Sequence, residues 1–84
     1  MSSINLNDYK LQIPYVQTII NDNMESGMTL SDAVATLSAS IHLPLIATYS
    51  IMALQMGNTP EIESTIESLK TFYHVKMVVP FEIT

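Results

Sequence analysis

The sequence contains no cysteine, no tryptophan and no arginine, and only two of its 84 residues are glycine. Without cysteine the chain cannot form a disulfide framework, a thiolate zinc site or a cysteine nucleophile. Three lysines stand against eight acidic residues, which gives a formal net charge of −5. So few cations cannot neutralise a run of phosphates, and this argues against nucleic-acid binding.

Apolar residues make up 48% of the chain and charged residues only 13%. The charged share is about half that of an ordinary globular protein. The composition as a whole is too apolar for a disordered chain. The length predicts one small domain over residues 1–84, with no room for a second core. The first residues contain neither a basic region nor an apolar run, so no secretory signal is predicted and we expect a cytoplasmic protein.

Four short helices are predicted from the apolar periodicity and from the start and stop signals. The first covers residues 14–27, the second 29–42, the third 44–56 and the fourth 59–73. Thr29 and Thr59 are placed as N-caps, and Pro14, Pro44 and Pro60 open helices. The third helix is apolar on every side, which is typical of a helix buried on every side or crossing a subunit interface.

The last residues change to a period of two, which predicts a half-buried C-terminal strand beginning at Val75. Its alternating residues are Val75, Met77, Val79, Phe81 and Ile83, with Lys76, Val78, Pro80 and Glu82 between them. Tyr9, Leu11 and Ile13 alternate in the same way near the start, and a short N-terminal strand there could pair with it. A two-stranded ribbon is marginal alone and needs helices or a second chain against it, so we expect a homodimer. The predicted fold class is therefore mainly α, a compact bundle of four short helices with a C-terminal β-strand.

Few side chains suggest chemistry. His42 and His74 each follow a predicted helix and are interpreted as helix ends rather than as catalytic groups or metal ligands. Glu63 and Glu67 form a solvated helix face on which Lys70 can pair with Glu67. No nucleophile elbow, phosphate loop or metal-ligand spacing occurs. We therefore predict no enzyme activity, no catalytic residue, no cofactor and no metal.

Two alternative functions follow from the middle of the chain. The second and third helices have the lengths of a helix-turn-helix DNA-binding motif, although the third would bring no basic side chain to the DNA. Residues 33–60 contain no Asp, Glu, Lys or Arg, so they are also long and apolar enough for a membrane hairpin or span. His42, Pro44 and the absence of flanking basic residues speak against that second alternative.

Six methionines and several aromatic residues exceed what so small a core comfortably hides, and methionine adapts well to partner surfaces. We therefore predict a non-enzymatic acidic protein-interaction module that binds another protein, either a second copy or a partner with a basic surface. By analogy, such proteins include accessory regulators and inhibitors, some of them phage-encoded. The predicted interface combines the third helix with the C-terminal strand: Tyr49, Met52, Met56, Met77, Val79 and Phe81.

Overall fold

Four α-helices account for most of the chain, and one short strand lies at each end of them. The computed structural model describes residues 2–80. The elements are β1 (Ser2–Asn5), a 3-10 turn (Leu6–Tyr9), α1 (Ile13–Glu25), α2 (Leu30–Ser40), α3 (Leu45–Met56), α4 (Pro60–Tyr73) and β2 (Val75–Val79). The predicted mainly α class, the four helices and the C-terminal strand are confirmed.

The helices begin where the polar caps and prolines predict. The Thr29 hydroxyl accepts a hydrogen bond from the Asp32 backbone N–H at 3.2 Å, and Thr59 accepts one from Ile62 at the same distance. Each bond satisfies one of the N–H groups that a helix start leaves unpaired. Pro44 is the N-cap of α3, so the break between α2 and α3 lies where the sequence predicts it.

Left-handed backbone ends several of the helices. Gly27 follows α1 with φ 113°, and His42 occupies the same position after α2 with φ 55°. In both turns the next residue donates a hydrogen bond back across the last helical turn, from Met28 to the Asn23 carbonyl and from Leu43 to the Ser38 carbonyl. His74 has φ 56° after α4. Both histidines therefore act as helix ends, as predicted, and they do so through the backbone.

α3 is the central helix, as its composition predicts. Every residue from 46 to 52 is buried, and α3 packs against α1, α2, α4 and the 3-10 turn. Two hydroxyl groups are buried with it: Thr48 bonds to Ser38 of α2 at 2.8 Å, and Ser50 donates to the Ile46 carbonyl at 2.7 Å. Burial ends at the last turn, where Leu54 and Met56 are about half exposed.

An N-terminal strand pairs with the C-terminal strand, as predicted, but it lies earlier in the chain than the alternation of Tyr9, Leu11 and Ile13 indicated. Tyr9 ends the 3-10 turn, the next residues form turns, and Ile13 already begins α1. The observed strand is β1, and Asn5 ends it by accepting a hydrogen bond from the Asn7 N–H at 2.9 Å. Three alternating apolar residues are too short a pattern to define a strand, and Leu11 is exposed in a turn, so the prediction over residues 9–13 was wrong.

β1 and β2 pair in parallel, and an irregularity in β2 changes which side chains face the core. Ser2 is opposite Val75 and Ile4 is opposite Val78, so β2 uses one residue more than β1 over this interval. An extra residue shifts the phase of a strand by one position. Val75 is buried and Val78 packs against the core, while Met77 is half exposed. The two-residue alternation that predicts the strand therefore does not continue unbroken through β2.

Candidate functional site

The six residues of the predicted interface do not form one surface. Tyr49 and Met52 lie in the core, with 8% and 1% of their surface exposed, because the middle of α3 is enclosed on every side. They are therefore not available on the free surface of this structure. Met56 and Met77 are exposed, and Val79 is half-buried in β2. Phe81 lies outside the described residues.

An apolar groove lies between α3, α4 and β2, over the start of the 3-10 turn. Its volume is about 320 Å³. Most of its walls are hydrocarbon, and three of its lining residues have polar side chains. The lining residues of this apolar groove are Leu6, Ser50, Ala53, Leu54, Asn58, Ile66, Lys70, Val78 and Pro80.

The half-exposed Leu54 is the largest accessible apolar group on the α3 wall. The Ser50 hydroxyl already donates its hydrogen to the Ile46 carbonyl, which leaves only acceptor capacity toward the groove. Among the side chains that line the groove, Asn58 and Lys70 carry the remaining N–H donors, and Lys70 is the one cation. The apolar groove is suited to bury a hydrophobic group and to hold it beside one cation.

A second depression, the basic cleft, adjoins the groove at the C-terminal end of α4. Its volume is about 340 Å³, and its lining residues are Glu67, Lys70, Thr71, His74, Val75 and Lys76. Two of the three lysines of the chain are gathered here with one of its two histidines. Lys70 lines both depressions, so the apolar groove and the basic cleft meet at its side chain.

Lys70 is paired with a carboxylate of its own helix, as the spacing predicts. Its Nζ lies 3.0 Å from Oε1 of Glu67, three residues earlier. The Glu67 side chain is 66% exposed and that of Lys70 is 26% exposed. Such an exposed pair contributes at most about 1 kcal/mol, since water and salt screen it. A competing carboxylate can therefore displace Glu67 at small cost.

The remaining chemistry-bearing residues are dispersed. Within residues 2–80, no three His, Asp or Glu side chains are grouped so that they could hold a metal ion. His42 and His74 are exposed at the ends of different helices, and Glu61 and Glu63 lie in the first turn of α4. The apolar groove and the basic cleft therefore remain the strongest candidate site.

The hairpin of α2 and α3 bears on both alternative functions. The two helices meet at 119°, an angle found in helix-turn-helix motifs. Seven consecutive buried residues nevertheless leave the middle of α3 no free face to enter a DNA groove. In the described part of the chain no single helix is long and apolar enough to cross a membrane, whereas this bent pair together meets the length and composition criteria.

Comparison with known proteins gave no match: neither a protein-family model, nor a curated protein, nor a solved structure is significantly similar to the chain.

Sequence reasoning missed most of the site. In the sequence, Leu54 is one apolar residue of an apolar helix, and the spacing of Lys70 indicates only a pair with Glu67. Gln55 interrupts the apolar run of α3 where the helix leaves the core, but it is directed toward α1 and is not among the residues that line the groove. Its amide donates to the Ile13 carbonyl at 3.1 Å and so fixes the end of α3 against α1.

Proposed function

We propose that the protein is a non-enzymatic, acidic protein-interaction module, a small accessory regulator or inhibitor that acts by binding another protein. The observation that carries this proposal is the apolar groove, with Leu54 half exposed on its wall. A concave, mostly apolar surface with a few polar groups at its edge is the usual form of a binding site.

The distribution of the methionines supports the proposal. Met52 is buried in the core, whereas Met24, Met28, Met56 and Met77 are all exposed. Most of these methionines therefore do not fill space in the core. Flexible, polarisable side chains at a surface can adapt to a partner of irregular shape.

The sheet is a poorer docking surface than the groove. With two strands among the described residues, each strand has an outer edge that pairs with no further strand. Lys76, Pro80 and the irregular register all lie in or beside β2. Charged residues, prolines and bulges are the features that keep an edge strand from pairing with another chain. The expected homodimer stays a prediction, and we assign no strand-edge contact to it.

The decisive experiment replaces the groove leucine and compares partner capture. Leu54→Gln removes an apolar side chain from the groove, and Met24→Gln makes a similar change on α1, outside the groove. Glutamine suits a helix nearly as well as either residue, so both folds should survive. We expect the tagged wild type and Met24→Gln to retain the same captured protein from lysate of the source cells, and Leu54→Gln to lose it.

Light scattering at several concentrations shows whether that captured protein is a second copy. A dimer that Leu54→Gln dissociates would make the groove a homodimer surface. Equal capture by all three proteins, with circular dichroism showing each folded, would contradict the assignment of the groove as the docking site.

A further inference from the structure

We infer that the apolar groove and the basic cleft form one composite site for a segment of a partner protein that presents a large apolar side chain beside a carboxylate. The inference rests on the proposed function and adds the chemistry of the partner. Its basis is that Lys70 lines both depressions, so an apolar group and an anion bound there are neighbours.

The apolar half determines what kind of occupant fits. Ala53 and Leu54 of α3, Ile66 of α4 and Val78 of β2 supply hydrocarbon on several sides. The depression is an open groove, so it covers only one side of whatever it binds. A free acyl chain would keep its other side in water, whereas a side chain of a protein keeps that side against its own molecule. This favours a protein segment over a lipid.

The basic half determines the charge of the occupant. Lys70, His74 and Lys76 supply N–H donors around one cleft, and charge-assisted hydrogen bonds to a carboxylate are the strong ones. Among residues 2–80, Glu67 is the one acidic residue that lines either depression. The net charge of −5 for the whole chain favours a basic partner. The basic cleft beside the groove, however, is positively charged and favours an acidic group.

Glu67 makes the inference specific. Its carboxylate lies 3.0 Å from Lys70 Nζ and occupies the place that a partner carboxylate would take. If the inference is right, removing this charge strengthens binding, because it frees Lys70 and removes a repulsion. A purely structural role of the Glu67–Lys70 pair would give no gain.

The test titrates three short probes into the ¹⁵N-labelled full chain: the amidated peptides acetyl-Phe-Glu, acetyl-Phe-Gln and acetyl-Phe-Lys. We expect the Glu peptide to shift amide signals of residues lining both depressions. It should bind about two- to fivefold more tightly than the Gln peptide, the range of an exposed ion pair, and the Lys peptide should bind most weakly.

Variants then separate the two halves of the site. Glu67→Gln should tighten binding of the Glu peptide about two- to fivefold, while Lys70→Gln and Lys76→Gln should weaken it by a similar factor. Lys10→Gln removes the one lysine outside the cleft and should leave the affinity unchanged. Leu54→Gln should weaken the Glu and Gln peptides equally. The dispersion of each spectrum reports whether the variant is folded.

Several results would overturn the inference. They are equal affinities of the Glu and Gln peptides, a loss of affinity in Glu67→Gln, or shifts confined to residues outside the two depressions. Octanoate that shifts the same amides more strongly than the peptide would identify an amphiphile as the occupant. Amide shifts that grow when the protein concentration is raised without any peptide would identify a second copy of the chain as the occupant. Partner capture that depends on Leu54 but not on Lys70 or Lys76 would leave the proposed function standing without this site chemistry.

Discussion

His42 shows how one residue serves the fold through its backbone. It has φ 55° with an exposed side chain, in the position that Gly27 occupies after α1. Left-handed backbone costs a non-glycine residue about 1–2 kcal/mol, although histidine tolerates it better than most. We expect His42→Gly to be more stable than His42→Ala by about 1 kcal/mol, measured by urea denaturation.

The matched control for His42 lies in α2, the helix that His42 follows. Ala35 is exposed in the middle of α2, where backbone is right-handed, so Ala35→Gly should lose about 1 kcal/mol. If glycine is more stable than alanine at position 42 and less stable than alanine at position 35, backbone conformation decides the effect of glycine. If His42→Gly and His42→Ala were equally destabilised relative to wild type, the imidazole itself would be stabilising the turn.

At the scale of the elements, a hydroxyl pair joins α2 to α3. Ser38 and Thr48 are both buried and their oxygens are 2.8 Å apart. Removing one partner leaves the other buried without this bond, so Thr48→Val should cost about 1–3 kcal/mol. Adding Ser38→Ala to Thr48→Val should restore part of that loss, and urea denaturation of the four proteins measures the coupling. Simple additivity of the two losses would mean that the hydroxyls do not depend on each other.

Local signals predicted the helices because each boundary has a local cause. The Thr29 cap, the Thr59–Pro60 start and the break at Pro44 depend on residues within one turn of one another. The phase of β2 could not be predicted in this way, because it is fixed by its register with β1, at the other end of the sequence. The candidate site could not be predicted for the same reason. Only tertiary packing brings together its residues Leu6, Leu54, Lys70 and Val78.

For the whole molecule, the parallel sheet is the contact that closes the chain on itself. Ile4 pairs with Val78 across the entire helical sequence, and both side chains pack against the common core. The helices pack against one another without the sheet, since α1 contacts α2 and α3, and α3 contacts α4. Loss of the sheet should therefore loosen the two ends before it unfolds the helices.

Ile4→Ala tests this division. Ile4 is half-buried, so the change should lower the free energy of unfolding by about 1–2 kcal/mol, less than at a fully buried site. Hydrogen exchange should quicken first at the β2 amides, while those of α3 keep most of their protection. Ile19→Ala, at a half-buried position of α1, is the control and should reduce protection across the helices. Equal loss of protection in β2 and α3 after Ile4→Ala would instead show that the sheet and the helices unfold as one unit. In that case β1 and β2 would stabilise the wall of the apolar groove as well as the two ends of the chain.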